Sequence, residues 1–185
     1  MIEIEKKFLV EGFDQLKPEL LALVSDAQSV VQAQSDEYFN HEQLRFEIQD
    51  IALRIRSVED RCILTYKGPN RDAKTKIRDE IEVDLSEEQS AGVIRVLKGI
   101  GLYSTAVVRK TRENYPIQWE GSPVNVSLDT VEEVGCFVEI EIVAEAEQEV
   151  PAAVKKLESL ASELSLSEST TTSYLEMLLR NRGEI

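Results

Sequence analysis

Charged and apolar residues alternate along much of this 185-residue chain, and this alternation constrains the fold more than any other feature. Because successive side chains of a β-strand point to opposite faces, each alternating segment has one charged and one apolar face. Glu3 and Glu5, for example, oppose Ile2 and Ile4, with Lys6 as an exception. The pattern predicts strands at 2–10, 28–39, 52–58, 61–68, 74–85, 104–119 (in one or two pieces), 123–131 and 136–144.

The charged faces carry both acidic and basic residues, and two or three charged residues often follow one another at alternate positions. An open sheet with one solvent-exposed face explains a single strand of this kind and is the simpler interpretation there. Over six strands, a barrel whose charged face is the lumen fits better. Besides Glu3, Glu5 and Lys7, the polar faces contain Arg54, Arg56, Lys74, Lys76, Arg78, Glu80, Glu82, Lys110, Arg112, Asn125, Ser127, Asp129, Glu139 and Glu141.

Four amphipathic helices are predicted, and they would cover the apolar outer face of the barrel. Their positions are 13–25, from Ser86 to about Gly99, from Pro151 through Leu164, and 171–182. Ser86 followed by Gln89 forms a capping-box pattern, and Pro151 suits a first helical turn. No repeat or linker-like segment divides the chain, so the predicted fold class is α+β with one domain over 1–185.

Composition excludes several classes of protein. The net charge of −14 argues against binding to nucleic acid. His41 is the one histidine, which argues against a histidine triad or a multi-histidine metal site. Cys62 and Cys136 show no CxxC pattern, so both are expected to be buried apolar residues. Without an apolar h-region or a long apolar segment, we expect no membrane association and a cytoplasmic location.

A lumen of this composition needs bound counter-charges. Two like charges 4 Å apart repel by about 4 kcal/mol at an effective dielectric constant near 20. Clustered glutamates would therefore take up protons or bind cations, and carboxylate oxygens suit Mg²⁺ or Mn²⁺ better than zinc. The lysines and arginines need a polyanion, since guanidinium groups bind phosphate oxygens in bidentate fashion. A divalent metal with a polyphosphate satisfies both sets.

A series of short motifs runs through the chain. They are, in order, Glu3-Ile4-Glu5-Lys6-Lys7, Tyr38-Phe39, Ala52-Leu53-Arg54-Ile55-Arg56, Leu64-Thr65-Tyr66-Lys67-Gly68-Pro69, Lys76-Ile77-Arg78-Asp79-Glu80-Ile81-Glu82, Val108-Arg109-Lys110-Thr111-Arg112, Leu128-Asp129, Gly135-Cys136-Phe137-Val138-Glu139-Ile140-Glu141, Ser173-Tyr174-Leu175 and Leu178-Leu179. Over essentially the whole chain these motifs resemble those of the CYTH, or triphosphate tunnel metalloenzyme, superfamily, and the first motif is similar to its ExExK signature.

The resemblance implies an eight-stranded antiparallel tunnel and a role for each matching residue. The implied metal ligands are Glu3, Glu5, Asp129, Glu139 and Glu141. The implied triphosphate-binding residues are Lys7, Arg54, Arg56, Lys67, Arg78, Lys110 and Arg112. Glu5, Lys7 and Glu141 are the candidate catalytic residues.

Some of these positions have structural alternatives. Lys67 precedes the turn at Gly68-Pro69 and could be an exposed strand end, and Arg78 could pair with Glu80 or Glu82. Tyr174 more often serves helix packing than ligand binding. Thr172 stands where relatives frequently have a basic residue, which weakens the case for phosphate binding by the last helix.

The order of the motifs is most similar to that of class IV adenylyl cyclases. The resemblance therefore implies conversion of ATP to cyclic AMP and pyrophosphate with Mg²⁺ or Mn²⁺. Two alternatives stay open: hydrolysis of tripolyphosphate, thiamine triphosphate or a nucleotide, and non-catalytic binding of a polyphosphate or nucleotide. The expected partner is a small-molecule triphosphate, and a homodimer is common among relatives.

Overall fold

The computed structural model describes residues 1–23 and 29–185. The strands are β1 (Ile2–Val10), β2 (Val30–His41), β3 (Ala52–Val58), β4 (Arg61–Lys67), β5 (Lys76–Leu85), β6 (Leu102–Trp119), β7 (Ser122–Val131), β8 (Gly135–Ala144) and the two-residue β9 (Ser169–Thr170). The helices are α1 (Leu16–Leu23), α2 (Glu87–Gly99), α3 (Val150–Glu163) and α4 (Tyr174–Asn181), with a short 3₁₀ turn at Glu147–Glu149.

The eight long strands form a closed antiparallel barrel. Neighbouring strands follow the order β5-β4-β3-β2-β6-β7-β8-β1, and pairing of β1 with β5 closes the ring. In this register Glu5 lies opposite Glu141 on β8 and opposite Lys76 on β5. Strand β9 pairs with Lys7 and Phe8, beyond the stretch of β1 that β5 occupies. The predicted eight-stranded barrel is therefore confirmed.

Helices α1, α2 and α3 bury the apolar outer face of the barrel. Leu20 of α1 and Leu157 of α3 are fully buried in a cluster that includes Ile4 and Ile140 of the barrel wall. Helix α2 packs on a second cluster of outward-facing residues, among them Ile55. Its predicted capping box is present, because the Ser86 hydroxyl accepts from the Gln89 N–H and the Gln89 side chain accepts from the Ser86 N–H.

Helix α4 occupies a different position. Tyr174 and Leu178 pack on Tyr38, Val108 and Phe137. Tyr38 lies two residues from Asp36 on β2, and Phe137 lies two residues from Glu139 on β8. Each pair therefore shares a strand face, and Tyr38 and Phe137 point inward with the charged residues. Helix α4 therefore fills part of one end of the lumen instead of covering the outer face.

The structure refines several boundaries. Helix α1 begins at Leu16 instead of residue 13, since Pro18 has no N–H to donate and is tolerated only in a first turn. Residues 24 and 25 of that predicted helix, and residue 28 of the predicted second strand, lie outside the described residues. Cys62 is buried as expected, whereas Cys136 is only partly buried. Among the described helices, none has the length and apolar character needed to cross a membrane.

Adjacent leucines of α1 provide a test of this packing. Leu20→Ala should lower the free energy of unfolding by about 2–5 kcal/mol, because Leu20 is 0% exposed and its removal leaves a cavity. Leu21→Ala is the matched control, since Leu21 is 48% exposed and should lose less than about 1 kcal/mol. Urea unfolding of both variants measures the difference, and equal losses would contradict the position of α1.

Candidate active site

The barrel encloses a cavity of about 780 Å³. Eleven of the twelve residues predicted from the sequence to form the site line it, and Asp129 is the exception. The eleven are Glu3, Glu5, Lys7, Arg54, Arg56, Lys67, Arg78, Lys110, Arg112, Glu139 and Glu141. Strand alternation thus brings charged side chains from six strands into one lumen.

Three of the predicted metal ligands converge. Carboxylate oxygens of Glu3, Glu5 and Glu141 lie within 4.8 Å of one another. Glu5 and Glu141 are cross-strand partners, and Glu3 lies two residues away on the same face of β1. Within the described part of the chain, Glu3 Oε2 and Glu5 Oε1 are buried without a hydrogen-bond partner. Glu3 Oε2 lies 3.9 Å from Arg78 Nε and Glu5 Oε1 lies 3.3 Å from Lys76 Nζ, so both oxygens have a cationic neighbour but keep the capacity to bind an ion.

The ionisation of these carboxylates reflects their crowding. Burial, together with the nearby charges of Glu3 and Glu5, raises the pKa of Glu141 to about 8. Burial also raises the pKa of Glu3. Burial and the charge of Glu139 would raise the pKa of Glu5 as well. The charges of Lys76, Lys7 and Lys67 outweigh them, and the pKa of Glu5 is lowered to about 2. A hard divalent cation would relieve the repulsion and fill the free oxygens, so the residues present fit such an ion.

The other two predicted metal ligands have different partners. The Arg112 guanidinium donates to Asp129 at 2.6 Å and also contacts Glu139. Asp129 further accepts from Lys110 Nζ at 3.1 Å and from the Tyr174 hydroxyl at 3.0 Å. These contacts favour a role for Asp129 and Glu139 as counter-charges to lysine and arginine side chains over a role as metal ligands. Asp129 is not part of the group formed by Glu3, Glu5 and Glu141.

Tyr174 orients two of the predicted substrate-binding lysines. Lys7 Nζ lies 3.9 Å and Lys110 Nζ 5.0 Å from the centre of the Tyr174 ring, within the range of cation–π attraction. Lys7 Nζ also donates to the Thr172 carbonyl at 3.3 Å and lies 3.3 Å from Glu139. Burial, with the charge of Arg112, lowers the pKa of Lys110 to about 7. Tyr174 thus combines helix packing with a place in the cavity wall.

Lys67 and Arg78 also point into the lumen. Lys67 Nζ contacts Glu3 and lies 3.1 Å from Glu80, which rules out the alternative of an exposed strand end. Arg78 Nε is 3.9 Å from Glu3, and Arg78 forms no ion pair with Glu80 or Glu82, the partners considered from the sequence. Two cations therefore flank the carboxylate group on the β4–β5 side.

Sequence reasoning missed Asp36 as a lumen residue, and it placed Lys76 on a polar strand face without giving it a role in the site. Lys76 lies 3.3 Å from Glu5, and burial lowers its pKa to about 8. Asp36 is 1% exposed and accepts from Arg54 at 3.1 Å and from Arg56 at 2.7 and 2.8 Å. Asp36 lies directly opposite Arg56 in the sheet, so the need of the paired arginines for a counter-charge could have indicated it. Lys74, by contrast, precedes β5 and is exposed.

A closed antiparallel barrel with a lumen of converging acids and bases defines a class of tunnel proteins. The chain belongs to the CYTH domain family, whose model matches residues 1–174. It is 30% identical over 179 residues to the Methanocaldococcus jannaschii protein named "Putative adenylate cyclase MJ0240", covering 96% of this chain and 98% of the relative. It is 26% identical to "Adenylate cyclase CyaB" of Aeromonas hydrophila, covering 93% and 86% of the two chains.

A solved structure has the same fold. The PH1819 protein of Pyrococcus horikoshii matches with a TM-score of 0.84 and 35% identity, and the match covers 97% of this chain and 99% of that one. The arrangement of strands around the lumen is therefore shared across nearly the full length of both chains.

The burial of Asp36 between two arginines leads to a prediction about how the free energy of unfolding depends on pH. Burial would raise the pKa of Asp36, but Arg54 and Arg56 outweigh it and hold the pKa below its usual range. Asp36→Asn should lower the free energy of unfolding at pH 7 by about 3–5 kcal/mol, since it leaves buried guanidinium groups without their counter-charge. A carboxyl with a lowered folded-state pKa stabilises the protein above its unfolded pKa of about 3.9, so the difference from wild type should shrink as pH falls below that value.

The control for this prediction is Asp84→Asn. Asp84 pairs with Arg61 at 2.8 Å, but the two side chains are 76% and 62% exposed, so little change in stability is expected. Urea unfolding between pH 2.5 and 8 measures both variants. Similar losses in the two variants, or a loss for Asp36→Asn that persists unchanged at the lowest pH, would contradict this account of Asp36.

Proposed function

We propose that this protein is a divalent-metal-dependent enzyme that acts on a triphosphate inside the barrel, converting ATP to cyclic AMP and pyrophosphate. The observation that carries the proposal is a cluster of three carboxylates, two of which have a buried oxygen with no hydrogen-bond partner among the described residues, in one lumen with a set of buried lysines and arginines. Each set by itself is an unfavourable concentration of like charge. An ion and a polyphosphate together would neutralise both.

Arginines and lysines of the lumen supply the phosphate contacts. Arg54 Nε and Arg78 Nε are buried without a hydrogen-bond partner in the described part of the chain, so both can donate to a phosphate oxygen. The buried ion pair with Asp36 holds Arg54 and Arg56 in position before a ligand arrives. Preorganised donors of this kind stabilise the charge that develops on phosphate oxygens during phosphoryl or nucleotidyl transfer.

Glu3, Glu5 and Glu141 would hold Mg²⁺ or Mn²⁺, which when bound supplies charge neutralisation and activation of the attacking hydroxyl. Lys7 lies 3.9 Å from Glu5 and faces the same lumen, so it can neutralise phosphate charge next to the carboxylate group. In the proposed reaction the ribose 3′-oxygen bonds to the α-phosphorus, the bond from that phosphorus to the bridging oxygen breaks, and pyrophosphate leaves. The hydroxyl proton passes to solvent. The likeness to the two relatives named as cyclases supports this choice of reaction.

Hydrolysis of a triphosphate is the second candidate. Cations flank the carboxylate group on both sides, with Lys67 and Arg78 near Glu3, and Lys7 and Lys76 near Glu5. A phosphate chain can therefore lie across the group with either its α- or its terminal phosphorus near the carboxylates. Water in place of the ribose hydroxyl would then release orthophosphate.

Removal of one carboxylate tests the proposed reaction. Glu141→Gln should reduce turnover of ATP by at least about 100-fold while the protein stays folded, because the carboxylate group loses one of its three ligands. Glu145→Gln, an exposed position just after β8, is the matched control and should keep full activity. Products from ATP and from tripolyphosphate, each with Mg²⁺ and with Mn²⁺, are separated by chromatography.

Each product pattern decides between the candidates. Cyclic AMP with pyrophosphate selects the cyclase, and orthophosphate selects the hydrolase. Binding of either ligand without products would leave a non-catalytic binding module. Full activity of Glu141→Gln would remove Glu141 from the site.

Two neighbouring arginines test the phosphate contacts. Arg56→Ala should raise the KM for the triphosphate by about ten-fold or more, since Arg56 lines the cavity and bidentate guanidinium contacts with phosphate are strong. Arg61→Ala is the control, because Arg61 is 62% exposed and pairs with Asp84 outside the lumen. Initial rates against substrate concentration measure both variants, and equal changes in KM would contradict the assignment of faces on β3.

A further inference from the structure

Strand β5 continues beyond the stretch that pairs with β1. The β1–β5 ladder ends where Asp79 lies opposite Ile2, whereas β5 runs on to Leu85. Strand β4 pairs with this remainder along its whole length. On its other side, none of the strands in 1–23 and 29–185 pairs with it. We call residues 81–85 the free edge of β5.

Two backbone hydrogen bonds show which backbone groups point to the free edge. The Gly68 N–H donates to the Asp79 carbonyl at 2.9 Å, on the β4 side. The Glu80 N–H donates at 3.1 Å to the carbonyl that precedes β1, on the opposite side. In an antiparallel ladder the N–H and C=O of one residue point to the same side, and that side alternates along the strand. The N–H and C=O groups of Glu82 and Asp84 therefore point away from β4, towards the free edge.

Apolar side chains beside the free edge are exposed on the outer face of the barrel. Ile81 is 59% and Val83 47% exposed, and Tyr66, which lies directly opposite Ile81, is exposed as well. Helix α2 follows β5 but packs over β3 and β4, on a cluster that includes Ile55. The free edge thus combines backbone groups that point to solvent with a neighbouring exposed apolar surface, two features of a strand-binding site.

Acidic side chains determine which kind of strand can pair there. Glu82 and Asp84 alternate with Ile81 and Val83, and both are exposed. Two copies of the free edge paired with each other would place Glu82 opposite Asp84, or opposite Glu82 of the other copy, and like charges at such positions are destabilising. A strand with lysine or arginine at alternate positions would form favourable cross-strand pairs instead. The exposed contact of Asp84 with Arg61 leaves its carboxylate accessible. The free edge therefore favours a basic partner over a second copy of this chain.

We propose that the free edge binds an extended segment of another protein as an added strand. The segment has lysine or arginine opposite Glu82 and Asp84 and apolar side chains beside Ile81 and Val83. Main-chain hydrogen bonds along the free edge supply affinity, and the alternating side chains supply specificity. The net charge of −14 attracts a basic segment at long range. This interaction is separate from the proposed enzymatic function, because it uses none of the residues assigned to the metal or the phosphates.

The test uses a synthetic peptide, about nine residues long, in which lysine and valine alternate. The control peptide contains the same residues arranged as a block of lysines followed by a block of valines. Net charge and apolar content are thus equal, and only the alternation is lost. Calorimetry measures binding of both peptides to the full chain, and amide hydrogen exchange followed by NMR compares residues 81–84 with and without peptide.

Hydrogen exchange should show the free edge directly. In the protein without peptide, the amides of Glu82 and Asp84 should exchange at least about ten-fold faster than those of Ile81 and Val83, which point to β4. The alternating peptide should slow exchange at Glu82 and Asp84 by about ten-fold or more and leave Ile81 and Val83 unchanged. The block peptide should bind at least about ten-fold more weakly than the alternating one.

A charge reversal tests the complementarity. Asp84→Lys should weaken binding of the alternating peptide by about five-fold or more, since an attraction across the strands becomes a repulsion. Glu163→Lys is the matched control, because it makes the same change of charge at an exposed position on α3, and it should alter binding by less than about two-fold.

Three results would overturn the proposal. The first is slow exchange of the Glu82 and Asp84 amides in the protein without peptide, which would mean that this edge is already paired. The second is no binding of the alternating peptide, or equally tight binding of the block peptide. The third is an equal loss of affinity in Asp84→Lys and Glu163→Lys. The exchange and peptide comparisons use the wild-type protein, so they decide the matter even if a variant does not fold, and none of them bears on turnover of a triphosphate.

Discussion

Compensation between opposite charges inside a closed barrel is the constraint on which the rest of this structure depends. A buried charge without a partner is strongly unfavourable, yet the lumen holds acids and bases from all eight long strands. They form local groups: Asp36 with two arginines, Asp129 with Lys110 and Arg112, and Lys67 with Glu3. The barrel can close around so polar an interior because nearly every charge has a neighbour of opposite sign.

The compensation is incomplete at one place, and that place is the candidate metal site. Glu3 and Glu5 each keep a buried oxygen that makes no hydrogen bond within the described part of the chain, and burial together with the charges of Glu3 and Glu5 raises the pKa of Glu141. Free donors of Arg54 and Arg78 complement them in sign. Among its described residues the folded protein thus retains buried atoms of both acids and bases that make no hydrogen bond, which is the property that a site for an ion and a polyanion requires.

The apolar residues of the chain also fall into two groups, one on the outer face of the barrel and one at an end of the lumen. Most of it forms the outer clusters under α1, α2 and α3, which stabilise the barrel from outside. Helix α4 and the 42–51 loop place the remainder at one end of the lumen, next to the charged residues. The outer face therefore carries most of the apolar burial, whereas the inner face carries the charged residues of the candidate site.

Local alternation in the sequence determined the strands, their two faces and the inward direction of residues such as Glu3, Arg56 and Glu141, because the two-residue period of a strand is a property of the backbone alone. It could not determine which inward residues meet. Strand order and register decided that Asp36 faces Arg56, that Lys76 reaches Glu5, and that Asp129 lies with Lys110 and Arg112 instead of with Glu3, Glu5 and Glu141. The position of α4 at the end of the lumen was likewise decided by tertiary packing, since an amphipathic helix specifies that one face is buried and not which surface buries it.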